Sequence, residues 1–406
     1  MIHNTLSRRK EEFVPMKANT VNMFVCGQTV YDDAHLGHAK AYISFDIVAR
    51  WLRYSGYKLK YVQNITDVDD KIIIRAKERE MDPLELAREY EKRFLDDMDA
   101  IGVKETVSEY PRSHDYIGAI TKQIQKLIDN GAAYMVDGDI YFKVDKFPDY
   151  TKRSGMKIDE LGKHRIEPKE GKVNQYDFAL WKSAKAGEPS WRITLKVNKK
   201  PVELNGRPGW HIEDTAITHE LFGPQYDLHG GARELIFPHH TNEIAQSEAA
   251  YGKKPFVKYW MHCGILNIKG IKMSKSLKNF ITIREALKDY DAEVLRYLFA
   301  STHYRKEVNY TEGLMDAARK QLGYMYSALS LFYNMPEKAD KLADKEATEI
   351  TEMLTKEFTA AMDDDINTAL ALSRLVIALN QLRVIADTRK GISKPVKEAT
   401  IGTVLK

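Results

Sequence analysis

The chain has 406 residues, 43% of them hydrophobic and 30% charged, with a formal net charge of +4 at pH 7. That length predicts about two to four domains, and the composition excludes a disordered or fibrous protein. No apolar run is read as reaching membrane-spanning length and MIHNTLSRRKEEFVPMK has no signal-peptide core, so a cytoplasmic protein is expected; two cysteines, Cys26 and Cys263, exclude a disulfide framework.

In chain order, VNMFVCG (Val21–Gly27) reads as a buried parallel strand that ends in glycine. The loop QTVYDDAHLGH follows. A helix comes next, with Ile43, Ile47, Val48, Trp51 and Leu52 at helical spacing and Gly56 as its stop. KLKYVQNI reads as a second strand, and its exit loop TDVDD leads into another helix from Lys71. Strand, helix, strand is a βαβ unit, and ligands in such sheets sit at the carboxyl ends of the strands.

The fold class expected is therefore α/β: a Rossmann-type doubly wound parallel sheet with an insertion, followed by a C-terminal α-helical bundle. The boundaries read as 1–109 for the first half of the sheet domain, 110–204 for the insertion and 205–265 for the second half. A loop and stem-contact region, 266–309, and the bundle, 310–406, complete the chain. The insertion is expected to hold a helix (Tyr116–Asn130), a hairpin in MVDGDIYFKV and then basic, polar sequence, with the sheet resuming near RPGWHIED and YDLHGGARELIFPHH. MDAARKQLGYMYSALSLFY reads as an amphipathic bundle helix, and KEATIGTVLK as a helix cut off in mid-course.

Three segments carry chemistry. HLGH, His35 to His38, lies where the first strand passes to its helix, and helix amino termini offer free N–H groups to phosphate. Two imidazoles there can donate to phosphate oxygens, and Gly37 leaves room for a flat ring against backbone, although the pair is equally read as surface histidines near a cap. KMSKS, Lys272 to Ser276, offers Lys272, Met273, Ser274, Lys275 and Ser276 to close over a triphosphate; alone it is usually a solvated surface loop. In FPHHTNEIAQSEA, Glu243 falls four residues after His239, which is half of a metal site. The carboxylates of NITDVDDK read more simply as helix caps (Asp67, Asp69, Asp70) than as a magnesium site.

HLGH with KMSKS resembles the signature pair of class I aminoacyl-tRNA synthetases. FVCGQTVYDDAHLGHAKAYISFDIVARWLRYSGY, YVQNITDVDDKII, GRPGWHIED, YDLHGGARELIFPHHTNEIAQSEA, WMHCGILNIKGIKMSKSLKNF and AMDDDINTALAL, in that order, resemble the cysteinyl-tRNA synthetase family. That resemblance implies ATP-dependent activation of L-cysteine to cysteinyl-adenylate, with Mg²⁺, and transfer to the 3′ end of tRNA for cysteine by a monomer with no membrane partner. It implies His35, His38, Lys272 and Lys275 as catalytic groups, with Gly37, Lys272, Met273, Ser274, Lys275 and Ser276 binding ATP. It implies one zinc ion per chain that takes the substrate thiolate, at positions matching Cys26, Asp214, His239 and Glu243, with Thr66, Trp210 and His229 lining the amino-acid pocket. Selection by a metal–sulfur bond exceeds what a cavity for a small side chain supplies, about 1–3 kcal/mol.

Asp214 departs from the family, which has cysteine there. The carboxylate either joins the zinc, which hardens the site, or only orients His239. Gln28, Thr241 and Lys278 depart as well, and RITLKVNKKPVELN is longer and more basic than the family pattern. His240 is expected to pack the pocket rather than bind metal, and Cys263 to sit in the core. The first alternative is a mycothiol-ligase-like enzyme that transfers cysteine to a small amine, which TDVDDKII and the His239–Glu243 spacing oppose. The second is a non-catalytic tRNA-binding paralogue, which intact HLGH and KMSKS oppose.

Overall fold

The computed structural model describes residues 1–150, 169–268, 270–273 and 279–405. The expected ATP-binding residues Ser274, Lys275 and Ser276, and the departure at Lys278, lie outside the described residues. The chain forms two compact units: Asn4–Arg9 with Val14–Cys263, and Met1–His3 and Lys10–Phe13 with Gly264–Lys406.

The larger unit begins with β1 (Thr20–Thr29), α1 (Leu36–Tyr54), β2 (Lys58–Thr66), α2 (Asp70–Glu78) and α3 (Pro83–Ala100). β1 is a near-continuous apolar run because helices and neighbouring strands cover it on all sides; Val21, Met23, Phe24 and Val25 are fully buried. α4 (Ile117–Asp129), β3 (Ala133–Val136), β4 (Asp139–Phe142), β5 (Phe178–Ser183), β6 (Trp191–Val197) and β7 (Lys200–Pro208) come next. The five strands form an antiparallel sheet in the order β3-β4-β5-β7-β6. α5 (Trp210–Phe222), β8 (Tyr226–Ala232), α6 (Thr241–Tyr251) and β9 (Val257–Cys263) then complete the parallel sheet, whose order is β9-β8-β1-β2. Strand order reverses between β1 and β8, the switch point at which open α/β sheets place ligands.

Two local readings are corrected. RPGWHIED does not resume the parallel sheet: β7 ends at Pro208 in the antiparallel sheet, and Gly209 is the N-cap of α5. Gly209 has to be glycine, since a Cβ there would meet Ala179 O at 1.9 Å. Of the three aspartates expected to cap α2, only Asp69 does so, accepting from Lys71 N at 2.8 Å. Asp70 instead takes Lys182 at 2.9 Å and Arg207 at 2.5 Å, and Asp67 takes His114. The β1–α1 loop is tied down by ion pairs from Arg75 to Asp32, 2.6 Å, and from Arg93 to Asp33, 2.5 Å. Cys263 is a core residue on β9, as expected.

The smaller unit contains β10 (Leu266–Ile268), β11 (Ile271–Lys272), α7 (Ile283–Asp289), α8 (Ala292–Ala300) and β12 (Val308–Tyr310), the strands in the order β11-β10-β12. α9 (Glu312–Tyr333), α10 (Lys341–Asp363), α11 (Thr368–Thr388) and α12 (Lys394–Leu405) form the helical region around Phe332, Ala347, Leu354, Ala378 and Leu382. Lys272 ends β11, and Met273 is buried with its N–H donating to Leu266 O at 3.3 Å. In AMDDDINTAL, buried Asp365 accepts from Tyr304 at 2.8 Å and Arg305 at 2.7 Å, which holds the α10–α11 turn. By length and composition α11 could cross a membrane, against the expectation that no apolar run is long enough. It packs along α9 and α10 through Ala371, Ala378, Leu379, Leu382 and Ile385.

Candidate metal centre and phosphate site

The β1–β2 register slips between Val25 and Gln28, a bulge that falls on Cys26–Gly27. Bulges re-aim side chains beside functional sites, and here Cys26 stands at the switch point next to His229 on β8. Gly27 makes this possible, because a Cβ there would meet the Asn64 carbonyl oxygen at 1.6 Å. Gly27→Ala is therefore expected to destabilise the fold by about 3 kcal/mol or more, as a lowered melting temperature with zinc absent or present.

Asp214 reaches the same spot from the second turn of α5, His239 from the kinked segment Ile236–His240, in which Phe237 is extended (φ −136°, ψ 134°), and Glu243 from the first turn of α6. All four side chains are buried. Cys26 Sγ lies 3.3 Å from Asp214 Oδ2 and 4.0 Å from Glu243 Oε1. His239 Nε2 lies 3.1 Å from Asp214 Oδ2 and 3.0 Å from Glu243 Oε1. A tetrahedral zinc with bonds of about 2.0–2.3 Å sets its ligand atoms about 3.3–3.8 Å apart. The spacing is therefore close to what such an ion needs, and the mixture of sulfur, nitrogen and carboxylate oxygen suits zinc. Glu243 Oε2, although buried, has no hydrogen-bond partner among the described residues, as expected of a group with a ligand's task.

The four donor atoms that lie within 4.8 Å of one another belong to Cys26, His239, His240 and Glu243. Asp214 is outside this set, and its other oxygen accepts from Asn64 Nδ2 at 2.7 Å. His240 thus comes nearer the centre than expected: its Nε2 lies 3.1 Å from Cys26 Sγ and its Nδ1 2.7 Å from His262 Nε2. Gly231 permits this approach, since a Cβ there would meet His240 Cε1 at 2.7 Å.

The charges follow from burial. Burial, then Asp214 and Glu243, push the Cys26 thiol well up. Burial would lower His239, but Glu243 and Asp214 outweigh it and raise the imidazole to about 9. Burial raises Glu243 to about 7, with His239 opposing. His229 and His240 are driven well below their ordinary value by burial and by neighbouring histidines. In the metal-free protein a proton on His239 Nε2 thus stands between the two carboxylates, where a cation would bind.

Sequence reasoning missed three supporting residues. His211 holds His239 through Nδ1 at 2.9 Å, a contact hinted at only by its place in GWHIED. Asn64 accepts from Gly27 N at 2.7 Å while donating to Asp214 and Thr66, so it ties β1, β2 and α5 together. Tyr226 lies 2.6 Å from His229 Nδ1; with its hydroxyl donating, the Nε2 proton of His229 points at Cys26 Sγ, 3.3 Å away. Of the expected pocket residues, His229 and Thr66 are buried, and Trp210 stacks on His239 at 4.1 Å between ring centroids.

HLGH opens α1. His35 is the N-cap, and the two histidines form a reciprocal box: His38 N donates to His35 Nδ1 and His35 N to His38 Nδ1, both 3.3 Å. The rings stack at 3.8 Å. With each Nδ1 accepting from backbone, a neutral ring carries its proton on Nε2. Both imidazoles are thereby fixed as donors at a helix amino terminus, which suits a phosphate. Gly37 lies between them in the first turn.

The sequence matches the family described as tRNA synthetases class I (C) catalytic domain over residues 12–320 and the DALR domain over residues 357–401. It is 47% identical over 377 residues to the cysteine–tRNA ligase of Thermococcus onnurineus (strain NA1), covering 91% of this chain and 77% of that protein. It is 46% identical over 398 residues to the cysteine–tRNA ligase of Trichlorobacter lovleyi (strain ATCC BAA-1151 / DSM 17278 / SZ), covering 95% and 79%. Among solved structures it resembles Mycobacterium tuberculosis methionyl-tRNA synthetase in complex with methionyl-adenylate, with a TM-score of 0.66 at 16% identity, covering 95% of this chain and 88% of that one. At that identity the likeness concerns the fold alone.

Proposed function

The chain belongs to the cysteine–tRNA ligase family of class I tRNA synthetases, and from that membership we propose how its residues divide the reaction. It is an aminoacyl-tRNA synthetase: it activates L-cysteine with ATP and transfers the cysteinyl group to tRNA. The observation that supports the residue assignments is the meeting of Cys26, His239 and Glu243 at the switch point with one Asp214 oxygen against both Cys26 and His239, at separations of 3.0–4.0 Å.

A cysteine carboxylate oxygen attacks the α-phosphorus of ATP, the bond to the bridging oxygen breaks, and pyrophosphate leaves as cysteinyl-adenylate forms. His35 and His38 donate their Nε2 protons as hydrogen bonds to phosphate oxygens while charge builds on them. Gly37, Lys272, Met273, Ser274, Lys275 and Ser276 bind ATP, with Lys272 and Lys275 neutralising the departing pyrophosphate and Mg²⁺ accompanying the nucleotide. A terminal ribose hydroxyl of tRNA then attacks the carbonyl carbon, and AMP leaves. No protein nucleophile is needed; positioning and charge do the work.

Cys26, Asp214, His239 and Glu243 hold one zinc ion, which when bound supplies a Lewis-acid centre that prefers a thiolate sulfur to a hydroxyl oxygen. Thr66, Trp210 and His229 line the rest of the amino-acid pocket. We assign 1–109 and 205–265 to the catalytic domain, 110–204 to an insertion, 266–309 to the loop and stem-contact region and 310–406 to the bundle, in a monomer acting in the cytoplasm.

The test is ATP–pyrophosphate exchange on zinc-loaded protein, with serine as control. Cysteine is expected to support exchange at least about 10³-fold better than serine, more than a size difference in a cavity provides. Equal exchange with both amino acids would overturn the metal-selection reading, and none with either would overturn the assignment of activation to this site.

A further inference from the structure

AMDDDINTALAL carries part of the family resemblance but has no task in the reaction as divided above, and the structure shows where its last aspartate is used. Asp365 is fully buried in the α10–α11 turn. The first turn of α11 does not draw on it, because Asn367 is the N-cap and accepts from Leu370 N at 3.2 Å. Among the described residues every donor to the Asp365 side chain comes from another segment. Its Oδ1 accepts from His3 N and from the Tyr304 hydroxyl, both at 2.8 Å. Its Oδ2 accepts from Nε and Nη2 of Arg305, both at 2.7 Å, and His303 Nε2 lies 3.5 Å from the same oxygen.

The backbone is strained where this carboxylate is presented. Asp365 and Ile366 have φ of 64° and 53°, in the left-handed region where a β-branched residue is an outlier. Such conformations persist when their surroundings over-determine them, and they cluster at functional sites. Here the strained pair turns a carboxylate away from its own helices and onto the 303–305 segment.

That segment is the footing of the strands that end in Lys272. Gly264 N donates to Tyr304 O at 2.9 Å, and Val308 N to Ile265 O at 3.1 Å. Gly264 allows so close a crossing, since a Cβ there would meet Lys306 O at 2.3 Å. β12 pairs parallel with β10 from Leu266↔Val308 to Ile268↔Tyr310, and β10 pairs antiparallel with β11, with Asn267 opposite Lys272. The Asn309 side chain accepts from Gly270 N at 2.7 Å. β10 and β11 are three and two residues long, and a pair that short does not hold its own place. A run of hydrogen bonds thus leads from Asp365 to the backbone of Lys272. We propose that Asp365 is a positioning residue for the activation step: through Arg305 and Tyr304 it fixes the 303–308 segment, and with it the strand that ends in Lys272. This rests on the ligase reading above, which assigns Lys272 to the departing pyrophosphate.

The experiment compares the full chain with its Asp365→Asn variant, which keeps the shape of the side chain and removes the charge that grips Arg305. In cysteine-dependent ATP–pyrophosphate exchange, kcat is expected to fall about 10²-fold, the loss that a misplacement of about 1 Å brings, with the KM for cysteine little changed. A residue that only stiffened the helices would lower the melting temperature and leave the rate alone. Glu346→Gln, which cuts the Glu346–Arg389 pair of the helical region, is the control expected to do that. Coupling gives a second readout: in a Lys272→Ala background, Asp365→Asn is expected to cost about tenfold or less, because the group it positions is already gone. If Asp365→Asn disturbs folding, Arg305→Lys carries the test, since it keeps the charge, loses the two-point grip and should lower kcat in the same sense by less. An unchanged kcat in a folded variant, or a loss as large in the Lys272→Ala background as in the unaltered chain, would overturn the proposal. Absent exchange in the unaltered chain would sink the ligase reading instead.

Discussion

Asparagine in place of Asp214 is expected to weaken zinc binding about 10²-fold, and cysteine in its place to strengthen it. The carboxylate touches both Cys26 Sγ and His239 Nε2 through one oxygen, so its loss removes a donor from the centre and an orienting contact from the imidazole. Loss of an orienting contact alone costs about 10–100-fold in metal affinity. A thiolate at 214 supplies a softer donor, so the two substitutions move affinity in opposite directions only if residue 214 is a ligand. Competition against a chromophoric chelator measures both. Equal weakening by asparagine and cysteine would reduce Asp214 to a residue that orients His239.

The same experiment has a pH arm. Zinc must displace the proton of His239, held up to about 9 by Glu243 and Asp214 against burial, and that of the Cys26 thiol, which is pushed higher still. Apparent affinity is therefore expected to rise between pH 6 and 9, about tenfold per unit for each proton released. In the asparagine variant His239 loses one of its two anions, so its share of this rise moves to lower pH. The metal-free chain follows the same linkage. His239 and Glu243 both bind protons more tightly folded than unfolded, Glu243 rising to about 7 from 4.5. The stability contributed by Glu243 is whole below about pH 4.5 and lost through about 7; that from His239 is whole below about 6.5 and lost through about 9. A chelator-treated sample should melt lower at pH 9 than at pH 6.

Part of this candidate site is legible in local pattern, for a physical reason: His239 and Glu243 stand at helical spacing, and HLGH falls between an apolar run ending at Gly27 and an amphipathic helix. Cys26 and Asp214 enter only through the family resemblance, because no local pattern links residues so far apart in the chain. What escaped reading depends on contacts between distant segments. The bulge that turns Cys26 into the pocket arises because Gly27 lets β2 approach within a distance no side chain allows, and nothing in VNMFVCG shows a register shift. Asn64 looks like an ordinary strand residue until α5 brings Asp214 to it. The nearness of His240 depends on Gly231 in another strand. RPGWHIED reads as the return of the sheet, but the helix begins inside it, where Gly209 fits against Ala179 O as the N-cap of α5.

His35→Asn and His38→Asn are each expected to lower the rate of cysteine-dependent exchange by about 10²–10³-fold, with the KM for cysteine little changed, since the amino acid is gripped elsewhere. The capping box decides the choice of substitute. Each ring uses Nδ1 to accept a backbone N–H of the other residue, which leaves Nε2–H as its donor to phosphate. Alanine would remove the cap along with the donor and cost about 1 kcal/mol of stability, mixing a folding effect into the rate. Asparagine, a good N-cap, keeps an oxygen to accept the backbone N–H and lacks the donor at the reach of Nε2. The double variant should lose less than the product of the single losses, because the stacked rings act as one unit. Exchange within about threefold of the unaltered chain in both single variants, well short of the loss a transition-state donor implies, would leave these histidines as caps of α1. A fall in rate at an unchanged melting temperature assigns them to the phosphate, because only the Nε2–H has been taken away.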